Sequence, residues 1–178
     1  MDFLTLAEQR QSDRKFDTAR RVEQDKIGRI LEAARLAPSA CNAQPWHLVV
    51  VDDPEVCGQT AEAIASLGMN KFAHQAPLHI VIVEERPNFT SWFGGLVKNK
   101  HFPLIDTGII TSYITLAAAS EGLGSCILGW FDEKELKKVL NIPSSKRILL
   151  DIAIGYPAAE HRNKVRKKME EIISRNKY

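Results

Sequence analysis

The chain has 178 residues, with 24 Lys and Arg against 22 Asp and Glu, a formal net charge of +2. That length suffices for one domain, residues 1–178, with its own core, and so even a charge balance argues against bulk attraction to nucleic acid or membrane. No apolar run reaches the roughly 18 residues that span a bilayer, the start Met1-Asp2-Phe3-Leu4-Thr5 lacks a signal-peptide pattern, and three widely spaced cysteines (Cys41, Cys57, Cys126) with no CxxC pair read as free thiols of a cytoplasmic protein.

In chain order, a short N-terminal helix leads into Arg10-Gln11-Ser12-Asp13-Arg14. The spacing of Ile27, Ile30, Leu31 and Ala34 predicts a helix over Gln24–Ala37, stopped by Pro38, which pushes the preceding residue out of helical geometry. Trp46–Val51 reads as a strand, Pro54–Leu67 as a helix with proline in its first turn, and Leu78–Val83 as a second strand. Phe89–Phe102, with its Gly94-Gly95 pair, reads as irregular. Asp106–Glu121 is predicted to be a helix apolar on most sides, hence buried against more than one neighbour, with Asp106 as its cap or dipole partner and Gly122 as its stop. Ser125–Trp130 is a third strand, Asp132 with Glu135 caps a short helix reaching Leu140, Ile148–Gly155 is the last strand, and a charged tail follows. Strands alternating with helices by themselves suggest a parallel α/β sheet.

Four constellations could carry chemistry. Arg10, Ser12 and Arg14 combine two fork-shaped cations with a small neutral donor, the mixture a phosphate needs; alone, the run also reads as a solvated charged turn. Pro38-Ser39-Ala40-Cys41-Asn42-Ala43-Gln44-Pro45-Trp46 fixes a loop with two prolines and fills it with neutral donors and acceptors suited to a heterocycle edge or a sugar chain, or else makes an ordinary Asx-bonded turn. Gly122-Leu123-Gly124 is not a dinucleotide fingerprint, because the third glycine is replaced by Ile127 and the pair leads from helix into strand; it reads as a helix stop before a strand whose end, Leu128-Gly129, exposes backbone amides. Gly155-Tyr156-Pro157 ends a strand and is followed by Lys164-Val165-Arg166, a basic pair or a solvated surface. The basic residues cluster near the start (Arg10, Arg14, Lys15, Arg20, Arg21) and the end (Arg162, Lys164, Arg166, Lys167, Lys168), and a fold joining the two groups would make an anion site. The five histidines form no ligand-spaced set, with His47 and His79 expected to be packed or hydrogen-bonded inside strands, and no GxSxG is present.

The order R-x-S-x-R, A-P-S-x-x-N-x-Q-P-W, G-L-G-S-C, G-Y-P and basic tail resembles the FMN-dependent nitroreductase family over nearly the whole chain. The resemblance implies an α+β fold, a three-layer α/β/α sandwich around a mainly antiparallel sheet, in place of the parallel one, built as an intertwined homodimer. It implies FMN contacts from Arg10, Ser12 and Arg14, from Pro38, Ser39, Ala40 and Asn42 of the partner subunit, from the Leu128 and Gly129 amides near the flavin N5 and O4, and from Lys164 and Arg166 at the phosphate. Many relatives carry an asparagine seven residues before the Ala of an Ala-Pro pair; here that position is Met69, and Asn70 beside it is the candidate. The implied activity is NAD(P)H-dependent reduction of nitroaromatics, quinones or similar planar electrophiles by ping-pong exchange through the flavin, without a catalytic side chain and without a metal. Trp92, Phe93 or Trp130 could line the open flavin face. The alternatives are another substrate for the same cofactor (enone reduction, dehalogenation, flavin degradation) or a non-catalytic FMN carrier.

Overall fold

A computed structural model describes residues 2–66 and 68–178. Seven helices, α1 (Phe3–Gln9), α2 (Gln24–Arg35), α3 (Pro54–Ala65), α4 (Phe89–Lys98), α5 (Phe102–Ser120), α6 (Glu133–Val139) and α7 (Met169–Ile172), accompany four strands, β1 (Trp46–Val51), β2 (Leu78–Glu84), β3 (Gly124–Leu128) and β4 (Arg147–Gly155). Single 3-10 turns occupy Ala40–Asn42 and Lys71–Gln75. The sheet order is β1-β2-β4-β3 and each of the three pairings is antiparallel. The parallel sheet suggested by element alternation is therefore absent from this sheet. The chain leaves β2 through α4 and α5 to reach β3 at the far edge, parallel to β2 but one strand removed, and returns through α6 to fill the gap with β4, so no two neighbouring strands run parallel.

Strand alternation divides the core into two layers. Leu78, Ile80, Ile82, Ile152 and Ile154 face Ile27, Ile30 and Ala34 of α2 and Ile110, Ile114 and Ala118 of α5. On the other face, Val81 and Val83 meet α3 and α6 through Ala63 and Leu136, while Cys126, Leu128 and Ala153 meet Ala61 and Ile64. Helices thus cover both faces, and the sandwich expected from the resemblance is what forms. A buried polar pair within these layers, His79 Nδ1 to Asp151 Oδ2 at 3.0 Å, ties β2 to β4. His47, by contrast, is exposed on β1, so of the two strand histidines only His79 is enclosed.

Three local expectations need correction. Phe89–Lys98 is helical, not irregular: Asn88 Oδ1 accepts from the Ser91 N–H at 2.9 Å and Asn99 closes the helix at φ 51. The glycine pair does not break it, because Gly95 is needed for packing: a Cβ there would lie 2.6 Å from the Lys100 carbonyl oxygen. Helix α5 starts at Phe102, with Pro103 in its first turn, so Asp106 lies inside the helix and caps nothing of it. At 19 residues and mean hydropathy 1.3, α5 has the length and composition of a membrane span, against the expectation that no apolar run reaches that length; one of its faces packs Ile110, Ile114 and Ala118 on the sheet. The helix predicted over Pro54–Leu67 runs to Ala65, with Leu67 outside the described residues.

Candidate functional site

The N-terminal strip after α1 runs along the β3 edge of the sheet. Ser12 bridges Ser125 in parallel, with the Asp13 N–H donating to the Ser125 carbonyl at 2.9 Å, and Phe16 bridges Pro157. The close approach explains two motif glycines: a Cβ on Gly124 would meet the Asp13 carboxylate at 2.6 Å, and one on Gly155 would meet Pro77 at 2.7 Å and Phe16 at 3.1 Å. Gly-Tyr-Pro thereby delivers the C-terminal tail onto the strip, where the Ala158 N–H donates to Lys15 O at 3.0 Å. The tail then folds back over it: Arg162 Nη2 donates to Ser12 O at 2.5 Å, the Arg162 N–H to Gln11 Oε1 at 3.1 Å, and Lys164 Nζ to Arg10 O. The tail is thus extended and docked over residues 158–166, with only the short α7 beyond.

These contacts join the two basic clusters. Arg10, Ser12, Arg14, Arg162, Lys164 and Arg166 line one cavity of about 310 Å³. Among the described residues, none of its five cations has a carboxylate oxygen within 4.0 Å. Burial, and then the neighbouring Arg10 and Arg166, push the Lys164 ammonium below the usual lysine range. Positive charges crowded without a carboxylate partner make a strong site for a multiply charged anion such as a phosphate monoester.

Beyond this cradle, β3 runs from Ser125 to Leu128, a rise of about 10 Å. Leu128 is buried and Gly129 exposed, so the strand ends with its backbone open to solvent. Gly129 is not held to glycine by this subunit, because a Cβ would make only an ordinary 3.5 Å contact with Leu150. Asn70, at φ 58, donates from Nδ2 to the Trp130 carbonyl at 2.9 Å. The structure therefore places Asn70 beside the β3 exit, a neighbourhood that its one-residue offset from the family pattern left open. An elongated ligand with a phosphate at one end and a hydrogen-bonding ring at the other fits this edge: cradle, strand, exposed amides.

The remaining sequence candidates lie elsewhere. Pro38, Ser39, Ala40 and Asn42 sit in the turn before β1, at the opposite edge of the sheet. Three strand spacings, about 14 Å, separate β1 from β3. The loop is firmly built: Asp106 Oδ1 accepts from the Ala40 N–H at 3.1 Å, Ser39 Oγ from the Gln44 N–H at 2.9 Å, and Asn88 Nδ2 donates to Cys41 O at 3.0 Å. Cys41, Asn42 and Gln44 all have φ near +50°. Asp106 is thus a loop anchor. No spacing rule within its own helix would have shown this, since its partner is 66 residues away. Next to the loop, α4 carries Phe89, Trp92, Phe93, Leu96 and Val97 on the surface, each at least half exposed, with Phe89 stacked on Phe93 at 6.2 Å.

The buried thiol within the motifs is not activated. Burial pushes Cys126 above the usual thiol range, and Cys41 is exposed with no disulfide partner. Cys57, outside the motifs, is pushed up to about 11 by burial.

Fold and site together define a class: an α+β sandwich with a phosphate-type cradle at one sheet edge and a neutral, strained loop beside exposed aromatics at the other. The chain matches the model of the nitroreductase family over residues 7–68 and 55–156. A relative from Archaeoglobus fulgidus is 32% identical over 145 residues, covering 79% of this chain and 78% of its own. The oxygen-insensitive NADPH nitroreductase of Helicobacter pylori is 27% identical, covering 95% and 94%. The solved FMN-dependent nitroreductase of Clostridium difficile superposes with a TM-score of 0.80 at 28% identity, covering 98% and 99%. This chain belongs to the nitroreductase family.

Proposed function

We propose that residues 1–178 form one FMN-binding domain of a homodimeric oxidoreductase that uses NADH or NADPH to reduce nitroaromatics, quinones or similar planar electrophiles. Family membership and NAD(P)H-dependent relatives support the oxidoreductase assignment, and the donor set supports the cofactor. The cradle suits a terminal monophosphate: Arg10, Arg14, Lys164 and Arg166 supply charge, and Ser12 a neutral donor. The Leu128 and Gly129 backbone would face the ring, and Gly129 leaves it room to approach. Bound flavin supplies the redox chemistry, accepting hydride from a reduced nicotinamide and passing electrons to the acceptor. The protein's part is then to grip, orient and partly cover, which needs no side-chain nucleophile, consistent with the unactivated Cys126.

The observation that carries the proposal is the separation of the two half-sites. Pro38, Ser39, Ala40 and Asn42 stand across the sheet from the cradle, so in one subunit they have no route to a ligand held there. A second copy related by a twofold axis can bring its loop to the first copy's cradle, and does so twice. The exposed α4 aromatics, with Leu104 and Ile105 of α5, form an apolar surface of the kind that a subunit contact covers. In such a dimer α4 travels with the loop through the Asn88–Cys41 bond, bringing Trp92 and Phe93 toward the open flavin face as a wall for flat acceptors. Trp130, also exposed, stands at the β3 exit.

Mixing two defective subunits tests this. One carries Arg10→Ala and Arg166→Ala; the other carries Asn42→Trp in the loop. Each alone is expected to retain little flavin. Co-refolded, heterodimers contain one site built from an intact cradle and an intact loop, so flavin returns at about one per heterodimer. No recovery, or a monomer by light scattering that still holds FMN, overturns the shared site. Released cofactor identified by mass as FAD would overturn the cofactor, and failure of NADH and NADPH to bleach the anaerobic holoprotein would leave a carrier in place of an enzyme.

A further inference from the structure

In the basic run Arg10-Gln11-Ser12-Asp13-Arg14 one residue has the wrong charge for an anion cradle. Asp13 is also no surface counter-ion. It is 5% exposed, and among the described residues no Lys or Arg nitrogen lies within 4.0 Å of it. Its Oδ1 accepts from Gln11 Nε2 at 2.8 Å, and its carboxylate lies over Gly124, where the missing Cβ makes room for Oδ2. Its N–H holds the Ser125 carbonyl, and Gln11 in turn accepts from the Arg162 N–H. One buried carboxyl therefore stands at the junction of strip, strand and tail, beneath the cations that form the cradle.

The titratable groups around it are Arg14, next in the chain, His161, Arg162 and Lys164 from the tail, and Cys126 from β3. Burial raises its pKa above the ordinary carboxylate range, with Gln11 and then Arg162 and His161 pulling the other way. A negative charge held there cancels part of the field that an incoming phosphate meets. A phosphate held by these cations would add negative charge near the carboxyl and make its ionised form still less favourable.

We infer that Asp13 sets the grip of the cradle by exchanging a proton with solvent: ionised, it loosens anion binding, and when an anion enters it takes up a proton and the full positive field acts on the ligand. The inference rests on the reading of the cradle as the FMN phosphate site. By linkage, anion binding and Asp13 protonation strengthen each other by the same factor.

The isosteric Asp13→Asn variant removes the charge and keeps the Gln11 contact. Dissociation constants for FMN are measured by flavin fluorescence from about pH 8 to about pH 5, spanning the region into which a carboxyl pKa can be raised. Near pH 8 the variant should bind about three- to tenfold more tightly than wild type. Because a raised folded-state pKa means that the charge is lost as pH falls through it, the ratio should fall toward one as the pH is lowered. Titration of free FMN is common to both proteins and cancels in the ratio, and His161→Gln in both backgrounds removes the neighbouring imidazole. Calorimetry in two buffers of different ionisation enthalpy, with His161→Gln as the background, should show net proton uptake on FMN binding that Asp13→Asn abolishes. A ratio of one throughout, weaker binding by the variant, or no proton uptake overturns the role of Asp13. If Arg10→Ala and Arg166→Ala also leave FMN affinity unchanged, the cradle reading itself falls; if they weaken it, only Asp13 does.

Discussion

At the β3 edge the sheet ends in charge: five cations around one cavity, none paired with a carboxylate, on a strip held by backbone bonds to β3 and by a tail folded back across it. At the β1 edge it ends in neutral side chains and exposed aromatics, on a loop held by Asp106 and Asn88 with three residues at positive φ. The first edge has unmet electrostatic demand, and the second has unmet apolar surface. Neither deficit is met within the subunit, and each is what the other would satisfy across a twofold axis. In the proposed dimer, a site divided in this way would make assembly a part of cofactor binding.

Breaking the charged edge should have the largest effect. Arg10→Ala and Arg166→Ala should each weaken FMN binding by about 1.5–3 kcal/mol through loss of a charge-assisted hydrogen bond, with inorganic phosphate competing, as read by fluorescence titration. Unchanged affinity in both would mean that the cluster is solvated surface. At the other edge, Asp106→Ala deprives the Ala40 N–H of its acceptor and should cost about 1–2 kcal/mol in holoprotein stability, measured by thermal unfolding with and without FMN. A larger loss in the apoprotein than in the holoprotein would remove the link between loop and cofactor.

Trp92→Ala sharpens the contrast further. It should raise KM for flat acceptors by about tenfold, the value of one aromatic contact of about 1.4 kcal/mol, and leave FMN affinity within about twofold. Equal damage to both would place Trp92 at the cofactor or in the fold. The smallest effect is expected at the thiols: Cys41→Ser and Cys126→Ser should keep FMN and most of the single-turnover rate of reduction by NAD(P)H. A loss beyond about a hundredfold, roughly 2.7 kcal/mol, in either flavin-loaded variant would bring a thiol into the chemistry.

What could be read in advance follows from the range of the interactions. Strands β1 and β2 and the caps of α3 and α6 depend on neighbours a few residues away, so Trp46–Val51 and the Asp132 cap are visible in the pattern itself. The union of the basic clusters was conditional on a fold, because Arg162 meets Ser12 across 150 positions. Helix α4 was hidden by Gly94-Gly95, whose local meaning is a break and whose actual meaning is close packing on Lys100. The antiparallel order was not accessible from element alternation, because the return of β4 between β2 and β3 leaves no local trace. The placement of the half-sites on opposite edges follows from that order and was equally out of reach.

The β1 strand has one further consequence, for handling the protein. Among the described residues its outer edge carries no partner strand, whereas that of β3 is bridged by Ser12. The segment Trp46-His47-Leu48-Val49-Val50-Val51 is rich in β-formers and contains no proline, glycine, lysine, arginine or acid, the composition that stacks into cross-β arrays. Pro45 before it and Asp52-Asp53-Pro54 after it are its nearby gatekeepers. In dilute solution, where a dimer would come apart, each released subunit would offer this bare edge together with the uncovered aromatics of α4. Losses on dilution should therefore appear as irreversible aggregation, lessened by added FMN and by a lysine at the exposed position His47, and not as a reversible fall in specific activity.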